Sequence, residues 1–217
     1  VTVADVRVDA LPPFLAKFRD DPRLRVVRVD ARSPDEVRKV MQGADACMNA
    51  LPYYFNLEIT SLAVQEGVHY CDLGGNTAIV FQQQQLNEKA KARDISVVPD
   101  CGLAPGMVNI LAAAGIAALD EAHTVRIRVG GLPQNPQPPL NYQIVYSLHG
   151  VLDYYTTSSW VLREGEPQQV DALTEIEPVE FPAPAGTLEA FHTAGGLSTM
   201  PWTYQGKLRT MEYKTLR

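Results

Sequence analysis

Three stretches of this chain set glycine or proline beside polar residues directly after a short apolar run. The longest is Cys101-Gly102-Leu103-Ala104-Pro105-Gly106-Met107-Val108-Asn109, which follows residues 95–99 and precedes a helix-like run over residues 110–119. Asp72-Leu73-Gly74-Gly75-Asn76 follows His69-Tyr70-Cys71 in the same way, and Ala50-Leu51-Pro52-Tyr53 closes a third run. Such residues suit close approach of a ligand to the main chain. Glycine accepts positive φ and has no side chain to hold a ligand off, and proline fixes the start of a following helix. In open α/β sheets ligands bind outside the carboxyl ends of the strands, where these junctions lie. Two side chains nearby could move protons. His149 lies between an apolar run and Gly150, and histidine is the side-chain type suited to proton abstraction near neutral pH, while Asp72 sits at a strand end beside two glycines.

These junctions need elements to hold them. Residues 1–8 are β-rich, residues 11–20 are helix-like, and residues 24–29 alternate arginine with leucine or valine as a strand ending at Asp30. Ser33-Pro34-Asp35-Glu36 reads as a helix start, with Ser33 as N-cap, Pro34 in the first position and Glu36 three residues on. That helix runs to about residue 42 and stops at Gly43. Residues 45–50 form the next strand, 56–66 a helix stopped by Gly67, and 68–72 a strand. Residues 77–93 read as one long helix carrying glutamines 82–85 on its surface, and 95–100 as the last strand of the series. Alternation at this spacing implies βαβ units, and right-handed crossovers make a Rossmann-type, doubly wound parallel sheet. Beyond residue 119 the texture changes. Residues 124–130, 141–149 and 208–216 read as strands, 154–160 as an aromatic, β-prone run, 161–184 as short strand pieces, and 131–140 and 195–204 as loops. The expectation is a second α/β domain with a mixed or antiparallel sheet, with residues 1–110 in the first domain and 111–217 in the second.

Composition excludes several classes. The net charge is −6 and no basic residues cluster, which argues against nucleic acid and anionic membrane as partners. No apolar run approaches the roughly 18 to 20 residues of a membrane span. Residues 1–9 lack the basic start and apolar stretch of a signal peptide. Cys47, Cys71 and Cys101 form no CxxC pair, so a reduced, cytoplasmic chain is expected. His69, His123 and His192 have no clustered partners, so no metal site is expected. The apolar, aromatic second half suggests a homodimer.

Dinucleotide-binding sheets place an acidic residue at the end of the second strand, where it accepts hydrogen bonds from the adenosine ribose. Asp5 suits that role, and Asp30 would flank the adenine. An acidic residue there repels the extra phosphate of NADP, so NAD is favoured, although Arg7 could take that phosphate. No G-x-G-x-x-G occurs in the 217 residues, so the first strand and its glycine loop are expected upstream of Val1.

The series Asn49-Ala50-Leu51-Pro52-Tyr53, Tyr70-Cys71-Asp72-Leu73-Gly74-Gly75 and Asp100 to Asn109 resembles the saccharopine dehydrogenase-like family, and within it the lysine 6-dehydrogenase branch. Tyr146-Ser147-Leu148-His149-Gly150-Val151, Asp153-Tyr154-Tyr155 and residues 193–201 agree with it. The resemblance implies an NAD-dependent oxidoreductase that deaminates the ε-amine of lysine. The alternatives are an NADP-dependent saccharopine or carboxynorspermidine-type reductase, and a catalytically silent dinucleotide-binding or dimerisation module. It also implies a chain that is one portion of a longer protein.

Amine oxidation by hydride transfer needs a neutral amine, hence a base, beside a flat nicotinamide. Ala50, Leu51, Pro52, Leu73, Gly74, Gly75, Cys101 and Gly102 would wall the nicotinamide slot, with Asp5 and Asp30 on the adenosine side. His149 is the first candidate base and Asp72 the second. Tyr53 and Asn109, one step further out, would touch an amino acid substrate. On the family pattern Ser198 and Thr199 donate to its α-carboxylate, with Arg217 as a bidentate partner.

Overall fold

The computed structural model describes residues 1–8, 13–18, 20–139, 141–144 and 147–217. The first part alternates strand and helix. β1 (Thr2–Asp5) pairs in parallel with β2 (Arg25–Arg28), and β3 (Ala46–Asn49), β4 (His69–Asp72) and β5 (Val97–Val98) form a second parallel piece in that order. Among the described residues no ladder joins the two pieces. The result is a Rossmann-like domain, parallel throughout, laid out as two small sheets.

Local chemistry explains the helices. In α1 (Pro34–Met41) Ser33 is the N-cap and its hydroxyl accepts from the Glu36 N–H, while Glu36 reaches back to accept from the Asp30 N–H. α2 (Asn56–Glu66) ends on Gly67 at φ 74, the left-handed position glycine adopts freely. Val37 and Met41 of α1, Ile59, Leu62 and Ala63 of α2, and Tyr70 of β4 make the first core cluster. Residues 77–93 are two helices rather than one, α3 (Thr77–Gln84) and α4 (Asn87–Ala92). The chain tightens between them, with Gln85 and Leu86 N–H groups donating three residues back to Gln82 and Gln83. Gln83 is also not on the surface. It is 2% exposed and bonds to core groups, so the glutamine run is not wholly a solvated face.

The second part is a mixed, mostly antiparallel sheet. β11 (Thr210–Leu216) is its centre. β6 (Thr124–Gly130) runs parallel along one whole edge of β11. The other edge is shared by β7 (Ser159–Arg163) near its start and β10 (Thr187–His192) near its end, both antiparallel. β8 (Glu166–Val170) and β9 (Glu177–Glu180) extend the sheet outward. α5 (Met107–Ala117) lays Val108, Ala112 and Ile116 on the core formed by Ile127, Leu162, Met211 and Tyr213.

Two expectations fail here. Residues 141–149 are not a strand: 141–144 have no regular structure, 145 and 146 lie outside the described residues, and α6 (Leu148–Thr156) starts on Ser147, whose hydroxyl accepts from Gly150 N–H. The run at 154–160, expected to be β-prone, is divided: residues 154–156 end this helix, and Ser159 and Trp160 begin β7. Of the expected helix at 11–20, a 3-10 turn over Pro13–Phe18 is present, and residues 11, 12 and 19 lie outside the described set. β10 was not expected, because its last three residues are buried on both faces and show no alternation.

Leu162 is fully buried in the second core. Leu162→Ala should cost about 3 kcal/mol, through lost transfer energy and a cavity. Urea or guanidinium unfolding would show it as a lower midpoint at unchanged slope.

Candidate functional site

A cleft of about 530 Å³ runs along the seam between the two parts. That size suits a small-molecule site. One wall is main chain at strand ends: Ala50, Leu51 and Pro52 after β3, Leu73, Gly74 and Gly75 after β4, and Gly102 after β5. The opposite wall comes from the second part, with Gly130 at the end of β6, Gly150 and Tyr154 of α6, and Tyr213, Thr215 and Arg217 of β11.

The glycines of the first wall are required by the protein itself. A Cβ on Gly74, at φ 75, would lie 1.9 Å from Asp100 Oδ1, and one on Gly102 would lie 2.6 Å from the Leu73 carbonyl oxygen. The strand-end loops therefore pack directly on one another, and a side chain at either position would push them apart.

Arg217 is the only charged side chain among the described residues lining the cleft. Its guanidinium donates to Tyr155 Oη at 3.0 Å and to Tyr154 Oη at 2.7 Å, and it lies 4.2 Å from the centre of the Tyr142 ring. Three tyrosines thus hold it in one orientation, with stacking and charge both favourable. Tyr53 lies on the opposite wall beside Gly75, and its hydroxyl donates to Asp153 Oδ2 of α6, linking the two parts across the seam.

The other expected site residues have different places. Asp72 is fully buried and does not reach the cleft. Its Oδ1 accepts from Gly74 N–H at 2.8 Å and Asp100 N–H at 3.1 Å, and its Oδ2 from Gln83 Nε2 at 2.7 Å. It is a structural clamp on the loop after β4, the segment after β5 and α3, not a base. His149 is exposed and does not line the cleft, because α6 turns Ser147, Gly150 and Tyr154 inward and His149 away from them. Cys101 is exposed, and its thiol, pushed up by burial and then by the charges of Cys71, Asp72 and Asp100, donates to the Val98 carbonyl oxygen. Asn109 accepts from Gly106 N–H and donates to the carbonyls of Gly196 and Leu197, tying α5 to that turn rather than touching a ligand. Ser198 is buried and donates to Asp100 Oδ2. Thr199 precedes α7 (Met200–Thr203) and also lies off the cleft, whereas Thr193, Ala194 and Gly195 of the same turn line it.

Asp5 ends β1 and Asp30 lies two residues beyond β2, both away from the cleft lining. Asp5 accepts from Arg7 N–H at 2.7 Å. Asp30 pairs with Arg32 at 2.7 Å, and hydrogen bonds from that side chain and backbone hold its carboxyl down to about 2. Away from the cleft, Glu175, His192 and Glu212 bring ligand atoms within 4.8 Å of one another. Arg163 and Arg128 already pair with those carboxylates, so cations of the protein fill the positions a metal would take.

Asp100 was not expected in any role. It follows β5 at φ 62 and meets Ser198 across the seam, while its Oδ1 is buried with no hydrogen-bond partner. Burial pushes its carboxyl up to about 6, with the Ser198 hydroxyl opposing and the charge of Asp72 adding.

Residues 1–98 match the family model described as the saccharopine dehydrogenase NADP binding domain, and residues 102–217 the saccharopine dehydrogenase C-terminal domain. Among solved structures, saccharopine dehydrogenase (L-Glu forming) from Saccharomyces cerevisiae superposes with a TM-score of 0.75 at 19% identity, over 100% of this chain and 49% of that one. A putative oxidoreductase from Bacillus subtilis aligns over 99% of this chain and 55% of that one, at 11% identity and a TM-score of 0.44. The chain thus spans about half the length of these solved structures. Among the described residues no helix is long and apolar enough to cross a membrane.

Asp100 supplies a pH test. The folded carboxyl keeps its proton up to about 6 and the unfolded one only to about 3.8. The burial penalty is therefore absent below the unfolded value, grows as pH rises, and is complete above the folded one, at roughly 3 kcal/mol. Asparagine tolerates the left-handed backbone and can accept from Ser198. Asp100→Asn should melt above the parent at pH 8, and the difference should close below pH 4, as read by thermal unfolding across pH.

Proposed function

Since the chain belongs to the saccharopine dehydrogenase family and carries its dinucleotide-binding domain, we propose that it oxidises the ε-amine of an amino acid, L-lysine, with NAD. One observation carries this reading: a single cleft has strand-end backbone on one side and one caged arginine on the other. A flat ring fits against main chain with little side-chain bulk, and a guanidinium fits a carboxylate. An amino acid spanning the cleft would place its α-carboxylate at Arg217 and its side-chain nitrogen towards the strand ends. With one cation in the described lining, the cleft suits one carboxylate better than the several of saccharopine. The aromatic and apolar remainder suits the methylene chain of lysine.

The residues present fit a nicotinamide dinucleotide. The ends of β3, β4 and β5 offer backbone at Leu51, Leu73 and Gly102, and Asp5 ends β1 where a ribose partner is needed. When bound, the dinucleotide accepts hydride from the substrate carbon. The protein's part is to hold the carboxylate, align the carbon chain along the tyrosines and exclude water. Asp5 supports NAD over NADP.

Full-length protein mixed with L-lysine and NAD should form reduced nicotinamide, followed by absorbance. Arg217→Met should raise KM for lysine about 10- to 100-fold, the scale of a lost charged hydrogen bond. It should leave 1,5-diaminopentane, which has no carboxylate, unaffected. Reduction of an imine by NADPH instead, with no lysine oxidation, would move the protein to the reductase class.

A further inference from the structure

Among the described residues, Tyr53 is the one side chain of the cofactor-side wall whose hydroxyl bonds to a carboxylate of the other part. Its ring packs beside Gly75, where an added Cβ would lie 3.4 Å from Tyr53 Cβ, so the phenol is positioned by the strand-end loop. Asp153 does not line the cleft and is reached from it through Tyr53. It lies on the face of α6 that also carries Gly150 and Tyr154, both cleft residues. The other titratable group against Tyr53 is Tyr54, with ring centres 5.8 Å apart. Arg217 stands on the opposite wall with Tyr154 and Tyr155.

We propose that Tyr53 and Asp153 form a proton relay that takes a proton from the reacting ammonium of the substrate and passes it to a carboxylate outside the cleft. The proposal rests on the amine-oxidation reading above. In the step, an N–H bond of the ammonium breaks and its electron pair stays on nitrogen. The proton bonds to the Tyr53 oxygen as the original Tyr53 proton moves to Asp153 Oδ2. The amine is then neutral, and hydride can leave the adjacent carbon. Hydrolysis of the resulting iminium can draw the same proton back along the same path to the departing nitrogen. The hydrogen bond to Asp153, helped by burial, pushes the Tyr53 phenol up to about 12, so it stays protonated and can hand a proton on only as another arrives. Tyr53 is the catalytic residue of the pair. Asp153 acts through it, as acceptor and positioning group.

The test uses Tyr53→Phe and Asp153→Asn in the full-length protein, with lysine oxidation by NAD followed from pH 7 to 10. At pH 7 each variant should lose about 100-fold or more in kcat, the scale of general base catalysis. The loss should shrink steadily towards pH 10, where solution itself deprotonates an amine whose ordinary pKa is about 10.4. NAD binding, read by nicotinamide fluorescence, should change little. A deficit that stays constant from pH 7 to 10 would overturn the relay and leave the pair as a tie between the two parts, and so would full activity of either variant at pH 7. If the unaltered protein turns over no amine at all, the amine-oxidation reading falls, and the relay with it.

Discussion

The carboxylate of Asp72 has no solvent contact and no cation beside it; three N–H groups converge on it instead. They come from the loop after β4, from the residue following β5, and from α3. A buried carboxylate is tolerable only when its oxygens are bonded, and each donor here would itself be costly to bury unmatched. The requirement is therefore mutual, and it fixes three segments at one point. Gln83 extends the clamp to Thr60, and Asn49 joins Asn56 and Tyr70 alongside, so the ends of β3 and β4 rest on a buried polar network. The wall of the cleft depends on that network, because its members are the loops these groups restrain.

Among the described residues the two parts meet through side chains of distinct chemistry. Ser198 reaches Asp100, Asn109 bonds the carbonyls of Gly196 and Leu197, and Tyr53 reaches Asp153. Trp202 packs between Phe81 of α3 and Trp160 of β7, 4.8 Å from each ring centre. The Asp100 contact is made at a cost, since the partnerless Oδ1 faces the Cα of Gly74. Strain and unpaired polar atoms gather where function needs a fixed geometry. The Asp100 contact at the seam has that character, and so does the buried polar network of the first part, where Gln83 Oε1 also lacks a partner, whereas the two clusters packed around Ala63 and Met211 are apolar.

Much of the first part was legible from residues. Ser33, Gly67 and the strand-helix alternation act locally, and local signals are what a sequence carries. The positions of Ala50 to Pro52, Leu73 to Gly75 and Gly102 after β3, β4 and β5 were legible for the same reason. Asp72, Asn109, Ser198 and Thr199 lie in the turns expected of them but face away from the cleft, and His149 lies in the first turn of α6 rather than at a strand end. Position at a strand end does not say whether a side chain turns to a ligand or to a neighbouring loop. Asp153, Tyr142 and Tyr154 were missed because residues 141–149 read as a strand and 154–160 as β-prone, which hides the helix over Leu148–Thr156. Had Ser147 been taken as an N-cap, helical spacing would have set Gly150, Asp153 and Tyr154 on one face. Asp100 carried no signal, since its partner Ser198 lies 98 residues away.

One strand sorts the charges of the second part. Side chains of a strand alternate between faces. On β11, Met211 enters the core, and Tyr213, Thr215 and then Arg217 on the same face line the cleft. Glu212 and Lys214, between them, point the other way into a network with Arg128, Arg163, Glu175, Glu177 and His192. That network balances acids against bases and needs nothing from outside. The cleft face receives a single cation, held by two phenols, a ring and the Leu216 carbonyl. A register slip of one residue would exchange the two sets, putting Glu212 and Lys214 on the core and cleft side. The full-length parallel ladder with β6, from Thr210 opposite Thr124 to Leu216 opposite Gly130, prevents it. The pairing that stabilises the sheet therefore also leaves Arg217 as the one charge in the described lining of the cleft.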